Sequence, residues 1–254
     1  MASLPSVFIS HGSPMHALDP GAAGEAWAEL GRRLGKPRAI LIASAHWETN
    51  VPMLTGNPKP ETIHDFSGFP EPLYKLRYPA PGAPDVAQRA QALLKDARID
   101  GRRGLDHGAW APLLYVYPDA DVPVVQISVQ PAFGPRHHVE VGRSLKKLSE
   151  EGVLIIGSGH MTHNLRDWAR GSGKPQPYAR EFSDWVREKM EKRDLEALAD
   201  YRSLAPHAAR AHPTEEHFLP LFFALGASGN QGKPERIYDG IEGGVLAMDS
   251  YVFH

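Results

Sequence analysis

The chain has 254 residues with 28 basic and 30 acidic side chains, so its formal net charge is −2, and it contains 13 histidines but no cysteine. The absence of cysteine excludes disulfides, thiolate-held iron–sulfur clusters, cysteine zinc fingers and a cysteine nucleophile. A bound transition metal would therefore need imidazole or carboxylate ligands. The near-neutral charge argues against nucleic-acid binding. No signal peptide or apolar run of roughly 20 residues is present, so we expect a cytoplasmic protein that does not enter membranes.

The predicted elements alternate between strands and helices along the chain. Short apolar runs rich in β-branched residues predict buried strands, and amphipathic segments between them predict helices. This alternation predicts an α/β fold with a central mixed or mainly parallel sheet flanked by helices, in a single domain over residues 1–254. The predicted strands are 6–10, 39–45, 122–129 and 153–159, and the predicted helices are 21–35, 84–97, 136–150 and 178–199.

A long segment with little regular pattern, Val51–Pro84, lies between the second predicted strand and the second predicted helix. A loop of this length inside a compact domain is usually functional. His64 lies in it and is a candidate for substrate contact.

Several histidines stand where predicted strands end. His11, His46 and His160 each follow an apolar run, and His163 comes three residues after His160. Ligands of open α/β sheets bind outside the carboxyl ends of the strands, so we expect these imidazoles to converge at one edge of the sheet and bind a divalent metal there. We favour His163 over His160 as the functional residue of its pair, because a predicted helix begins just after it.

A further histidine, His217, precedes an apolar helical run. Residues 213–216 resemble a helix N-terminus, which places His217 in the first turn, pointing toward the sheet edge. Glu215 or Glu216 is an alternative carboxylate ligand. These acidic residues also fit a capping cluster that holds no metal.

His107 lies in a glycine-flanked loop before a predicted helix and is a candidate for substrate contact or proton transfer. Five further histidines are expected at the surface: His16, His137, His138, His207 and His254.

Sequence motifs of other enzyme classes are absent. The chain has no GxSxG nucleophile elbow, no Walker A sequence, no GxGxxG turn after a strand and no HExxH. A hydrolase would therefore depend on metal-activated water.

Seven sequence blocks, in order along the chain, together resemble the class III extradiol ring-cleavage dioxygenases and, more narrowly, the 4,5-DOPA extradiol dioxygenase group. The blocks are HGSPM at 11–15, SAHW at 44–47, TIHDFSGFP at 62–70, LRYPAPG at 76–82, DHGAWAPL at 106–113, MTHNL at 161–165 and TEEHFLPLFFALGA at 214–227.

The resemblance implies a metal site and a reaction. By position, His11, His46 and His217 become metal ligands, His163 becomes a fourth ligand or the catalytic acid/base, and His107 lines the substrate site. It implies one divalent metal per chain, iron(II) for activity, with a catechol such as DOPA and O2 as substrates. Relatives in the wider superfamily use two histidines and a glutamate, which keeps a carboxylate ligand open here.

The same histidines would suit zinc, which cannot carry out the redox step. The alternative hypothesis is therefore a zinc-binding protein of the same fold, either a metal-dependent hydrolase or a binder without catalytic activity.

Overall fold

The computed structural model describes residues 3–171, 173–229 and 234–254. Its strands are β1 (Ser6–Ser10), β2 (Ala39–Glu48), β3 (Met53–Thr55), β4 (Arg98–Asp100), β5 (Val124–Val129), β6 (Val153–Gly159), β7 (Pro234–Tyr238), β8 (Ile241–Glu242), β9 (Leu246–Ala247) and β10 (Ser250–Phe253). Its α-helices are α1 (Gly21–Leu34), α2 (Glu71–Lys75), α3 (Pro84–Leu93), α4 (His107–Val116), α5 (Gly134–Leu145), α6 (Lys147–Glu150), α7 (Leu165–Arg170), α8 (Pro177–Glu191), α9 (Leu195–Ala199), α10 (Tyr201–Leu204), α11 (Ala208–Ala211) and α12 (Leu219–Ser228).

The main sheet has the strand order β4-β3-β5-β2-β6-β1-β10-β7, and β8 and β9 form a separate hairpin. The central strands β5, β2, β6 and β1 run parallel to one another. Antiparallel neighbours, β3 beside β5 and β10 beside β1, extend the sheet on either side. The predicted α/β fold with a mixed, mainly parallel sheet is confirmed.

Both faces of the central strands are buried, as their uniformly apolar sequences predict. On one face, Ile40 and Ile156 belong to a cluster that also contains Trp27 of α1 and Trp110 of α4. On the other face, Leu41 and Ile155 pack with side chains from α5 and α12. Successive residues of one strand therefore enter different layers of the core.

The boundaries differ from the prediction where tertiary contacts or turns decide them. Strand β2 continues to Glu48, three residues beyond its predicted end, and β5 starts at Val124. The helix predicted over 84–97 ends at Leu93, and the left-handed Asp96 (φ 57°) precedes β4. The helix predicted over 178–199 is interrupted near Arg193, which also has a positive φ. The helix predicted over 136–150 is split into α5 and α6.

Within the described part of the chain, no helix combines the length and apolar character needed to cross a membrane.

Helix α12 lies close to β6 because Gly157 has no side chain. A Cβ atom at Gly157 would lie 2.0 Å from the carbonyl oxygen of Pro220 on α12. Backbone cannot yield as a flexible side chain can, so a larger residue would push the helix away from the sheet.

We predict that Gly157→Ala lowers the free energy of unfolding by about 1–3 kcal/mol, because it overpacks this contact. Urea denaturation followed by circular dichroism measures the change. Gly101→Ala is the matched control, since no heavy atom lies within 4 Å of a Cβ there. Equal stability of the two variants would contradict the prediction.

Candidate metal centre

Three adjacent parallel strands bring histidines to one edge of the sheet. His11 follows the last residue of β1, His46 is the third residue from the end of β2, and His160 follows β6. Since β2, β6 and β1 are neighbours, their carboxyl ends lie side by side. Gly12 adopts φ +71°, a conformation that glycine reaches without strain, and turns the chain away after His11.

The Nε2 atoms of three histidines face one another. His46 Nε2 lies 3.0 Å from His11 Nε2 and 3.3 Å from His217 Nε2. The prediction that His217 lies in the first turn of a helix is wrong, because His217 lies two residues before α12. Its carbonyl oxygen accepts a hydrogen bond from the backbone N–H of His160 at 2.7 Å, which fixes it beside the end of β6.

The opposite ring nitrogens of two of these histidines have hydrogen-bond acceptors. The Ser158 hydroxyl donates to the carbonyl oxygen of Gly108 at 2.5 Å, so its oxygen accepts from His11 Nδ1 at 3.0 Å. His217 Nδ1 donates to Glu216 Oε1 at 2.8 Å. This network assigns the proton of each ring to Nδ1, and Nε2 is left with a lone pair.

Asp65 lies beside the third histidine, His46, and is hydrogen-bonded to His107. Its Oδ2 lies 3.6 Å from His46 Nδ1 and accepts from His107 Nδ1 at 2.8 Å, while Oδ1 accepts from the backbone N–H of His107 at 2.9 Å. Burial alone would raise the pKa of Asp65, but the bonds from His107 and the charge of His46 lower it to about 2. Asp65 is therefore an anion that faces two imidazoles.

The three rings are held neutral. Burial, followed by the neighbouring histidines, lowers the pKa of His11 and His217 well below the usual value, and burial beside His107 lowers the pKa of His46 to about 3. Three neutral imidazoles whose lone pairs point at one another repel unless a cation lies between them. The donors therefore fit a divalent metal, and three protein ligands are typical of a catalytic site with an open position.

His163 occupies a different position from the other predicted ligands. Its ring stacks on that of His217, with centroids 3.5 Å apart and planes inclined by 14°. Its ligand atoms group with those of Glu216 and His217, and not with those of His11 and His46. Burial and the nearby His46 lower the pKa of His163 to about 3. This position suits a residue beside the metal.

The two glutamates considered as ligands have different surroundings. Glu215 accepts hydrogen bonds from the Tyr201 hydroxyl at 3.1 Å and from Arg202 at 2.8 Å. Glu216 accepts from His217 Nδ1. Of these two glutamates, Glu216 is the one that contacts one of the three facing histidines. It binds Nδ1 of His217, the nitrogen that points away from His11 and His46.

Sequence reasoning missed Asp65 and selected the adjacent His64. The Nε2 atom of His64 lies 3.1 Å from the carbonyl oxygen of Leu76. The sequence neighbour of His107, Asp106, is fully buried and bonds Ser44 instead. The signal that could have revealed Asp65 was an acidic residue in the long segment 51–84.

Two histidines expected at the surface are buried. His16 is 7% exposed and bonds Glu242 at 2.6 Å, and His138 is 2% exposed and bonds the carbonyl oxygen of Gly134 at 2.7 Å. The partner of His16 is 226 residues away in sequence, which local pattern could not show, whereas that of His138 lies four residues earlier in α5.

A cavity of 500 Å³ opens above the three facing nitrogens. The lining includes six histidines, His11, His46, His107, His160, His163 and His217, but not His64. The remaining lining is mainly apolar: Pro14, Phe66, Phe69, Leu165, Trp168, Ala169 and Leu246. Such a cavity, with few convergent polar groups at one end, is typical of a small-molecule site.

Residues 5–253 match the family described as the catalytic LigB subunit of aromatic ring-opening dioxygenase. The chain belongs to this family. It is 43% identical to a 4,5-DOPA dioxygenase extradiol of Beta vulgaris, over 97% of this chain and 95% of that protein. It is 39% identical to one of Escherichia coli K12, over 96% and 93%.

The fold is shared with a solved structure. A crystal structure of an uncharacterized protein from Escherichia coli K12 superposes with a TM-score of 0.85 at 34% identity, covering 99% of this chain and all of the other. The comparisons agree with the resemblance seen in the sequence: this LigB-family chain is an extradiol ring-cleaving dioxygenase. The family is metal-dependent, and this chain carries groups that can hold the metal.

We predict that His46→Ala abolishes stoichiometric binding of a divalent metal, because it removes the nitrogen that lies closest to both others. Metal content after reconstitution and gel filtration, determined by elemental analysis, measures it. His254→Ala, at an exposed residue that bonds Glu235, is the control and keeps full metal content. Unchanged metal content in His46→Ala would refute the ligand assignment.

Proposed function

We propose that this LigB-family chain is an iron(II) enzyme that opens a catechol ring beside the diol with O2, using His11, His46 and His217 as metal ligands. The observation that carries the proposal is the close approach of three Nε2 atoms at the inner end of the cavity. His46 Nε2 lies 3.0 Å from His11 Nε2 and 3.3 Å from His217 Nε2. Curated relatives are named for DOPA, so DOPA is the first catechol to test.

Bound at these nitrogens, iron(II) would supply the redox chemistry that joins O2 to a catechol, which zinc cannot supply. Imidazole ligands suit either metal. The identity of the metal is therefore inferred from the reaction, and the zinc-binding alternative predicts a protein that leaves catechols unchanged.

His107 is placed to accept a phenolic proton. Asp65 holds its Nδ1–H, so Nε2 is the free acceptor of the ring. The ring lies 4.0 Å from that of His46, centroid to centroid, and borders the cavity. The carboxylate orients the imidazole and stabilises it once it is protonated, as a third group does in hydrolytic triads.

His163 is the second candidate for proton transfer. It is neutral, it borders the cavity and it stacks on a proposed ligand, His217. A neutral imidazole beside the diol can accept a proton and return it later in the reaction. We therefore assign His163 to acid/base catalysis and leave the three facing nitrogens as the ligands.

Anaerobic loading with iron(II), followed by catechols and O2, tests the activity. We expect one O2 consumed for each catechol and a yellow ring-opened product, and we expect the zinc-loaded protein to consume none. Absence of oxygen uptake with every catechol, in a protein shown to hold iron, would sink the dioxygenase proposal and favour the zinc alternative.

We predict that His163→Ala and His107→Ala retain metal but lower kcat by roughly 10²–10⁴, the usual contribution of a positioned acid/base. Steady-state oxygen uptake and metal content are measured on the same samples. His207→Ala, at a histidine that pairs with Glu181 and does not line the cavity, serves as the control. Loss of metal from His163→Ala would instead make His163 a fourth ligand.

A further inference from the structure

Two residues outside the metal centre form an ion pair at the border of the cavity. His16 Nε2 lies 2.6 Å from Glu242 Oε1, although the two residues are 226 positions apart in sequence. The His16 side chain is 9% exposed and that of Glu242 is 32% exposed, so solvent screens the pair only in part. The pair joins the turn that follows β1 to the hairpin of β8 and β9.

The contacts of the His16 ring require its charged form. Nδ1 lies 3.0 Å from the carbonyl oxygen of Ser13, and Nε2 faces the Glu242 carboxylate. A carbonyl oxygen and a carboxylate only accept hydrogen bonds, so both ring nitrogens donate and both carry a proton. A neutral imidazole has a single N–H, and it would lose one of the two bonds.

The surroundings of His16 favour this charge. Burial alone would lower the pKa of His16. The hydrogen bond to Glu242 and the charge of its carboxylate act in the opposite direction, as do Ser13 and Asp19, and the pKa lies above its usual value. From α1, the uncharged indole of Trp27 packs near the imidazole, with centroids 5.8 Å apart.

Two further titratable groups near the pair stay neutral. His160, at the end of β6, is buried, and burial together with His163 and then His16 lowers its pKa well below the usual value. Tyr238, on β7, is close to Glu242, and burial followed by the charge of Glu242 raises the pKa of its phenol. Neither group therefore competes with His16 for the carboxylate at neutral pH.

On the His16 side, the pair supports one wall of the cavity. Gly12, Ser13 and Pro14 line the cavity. The His16 ring packs directly against Gly12, since a Cβ atom there would lie 2.5 Å from the ring. The same ring holds the Ser13 carbonyl through Nδ1. His16 therefore fixes the turn that begins just after the proposed ligand His11.

On the Glu242 side, the pair supports a second wall. Glu242 ends β8, and Gly243 follows it in the hairpin turn with a φ of 53°. A Cβ atom at Gly243 would lie 2.4 Å from the indole of Trp168, so the indole rests on this residue. Trp168 and Leu246 both line the cavity. A shift of β8 would therefore move the support of the indole.

The two strands of the hairpin are held by different side chains. Beside β9, the Thr162 hydroxyl accepts from the backbone N–H of Ala247 at 2.7 Å and donates to the carbonyl oxygen of Val245 at 2.8 Å. On β8, the bond is that of Glu242 to His16. Loss of the ion pair would therefore loosen β8 and leave β9 attached.

We infer that His16 and Glu242 are positioning residues that hold two walls of the cavity together, and that this hold requires the charge on both side chains. Neither residue is among the described residues that line the cavity, so both act through the wall residues, Ser13 on one side and Trp168 on the other. The effect on catechol binding rests on the proposed ring-cleaving function, whereas the effect on the hairpin does not.

The direction of the pH dependence follows from the raised pKa of His16. A histidine in the unfolded chain has a pKa near 6.5, so the stabilisation from the pair is fully present below about pH 6.5. It is lost as the pH rises through the higher pKa of the folded protein. The hairpin is therefore held at acid and neutral pH and loosens at alkaline pH.

Hydrogen exchange of the hairpin tests the inference without turnover. In the zinc-loaded protein near pH 6.5, we expect Glu242→Gln to speed amide exchange in residues 241–245 by about three- to tenfold, because a neutral hydrogen bond replaces a charge-assisted one. At about pH 9, the ratio of the variant rate to the wild-type rate approaches one, because His16 is then neutral in both proteins.

Glu181→Gln is the matched control. It removes the charge from another histidine–glutamate pair, that of His207, which is exposed and distant from the cavity lining. Its exchange ratio in the hairpin is expected to stay at one at both pH values. A ratio of one for Glu242→Gln near pH 6.5 would overturn the inference, and so would a raised ratio that persists at about pH 9.

The wild-type protein provides a second measurement in case Glu242→Gln does not fold. After correction for the intrinsic rate, we expect exchange in residues 241–245 to increase between about pH 6.5 and about pH 9, whereas exchange in β10 stays constant. An unchanged corrected rate in the hairpin would overturn the inference.

Steady-state kinetics of the iron-loaded enzyme near pH 7 report the consequence for a substrate. With DOPA, we expect Glu242→Gln to raise KM at least about threefold and to change kcat less than about twofold, because the facing histidines are untouched. An unchanged KM despite faster hairpin exchange would refute the positioning role. Absence of turnover in the wild type as well would count against the proposed function, and the exchange ratios alone would then decide the inference.

Discussion

Three imidazole lone pairs that point at one another are the constraint on which the rest of the structure depends. Without a cation between them this arrangement is repulsive, so the surrounding protein must impose it. It does so through acceptors for the opposite nitrogens of two rings, Ser158 for His11 and Glu216 for His217. At the third ring the Asp65 carboxylate lies 3.6 Å from His46 Nδ1. Each acceptor fixes a tautomer as well as an orientation, and a metal requires both.

The convergence of histidines at the sheet edge could be predicted because its cause is local. Runs such as SVFIS and VLIIGSG are recognisable as buried parallel strands, and the residues at the carboxyl ends of such strands meet at one edge of the sheet. His11 and His46 were found in this way. His217 was also expected at the sheet edge, but in the first turn of a helix, whereas the residues before α12 form an irregular turn that no periodicity describes.

The hydrogen-bond partners of the histidines could not be predicted, because they come from segments that are distant in sequence. Asp65 meets His107 across 42 residues of sequence, and Ser158 meets His11 across 147. Nothing in the pattern around Ser158 distinguishes it from an ordinary strand residue, and Asp65 is one of three acidic residues in segment 51–84. The buried His16 shows the same limit, since its partner Glu242 is 226 residues away. Hydrogen bonds between residues far apart in sequence determine where these side chains lie. Composition and hydrophobic periodicity carry no information about such bonds.

Under the proposed function, the histidines of the cavity serve the chemistry, and the apolar side chains of its lining serve the selection of substrates. Under that function, the imidazoles at the inner end would face the diol that all catechols share. The apolar side chains of the lining come mainly from segment 51–84, α7 and the hairpin, and none of these elements carries one of the three facing histidines. Substitutions there can change substrate choice without disturbing the nitrogens that hold the metal.

The spacing of the three facing histidines along the chain also makes the metal a cross-link. His11 and His46 are 35 residues apart, and His46 and His217 are 171 residues apart, so one ion would close two large loops of the polypeptide. Binding free energy at such a site is also folding free energy, since the unfolded chain cannot present the three nitrogens together. A chelator would then act on this enzyme as a denaturant as well as an inhibitor.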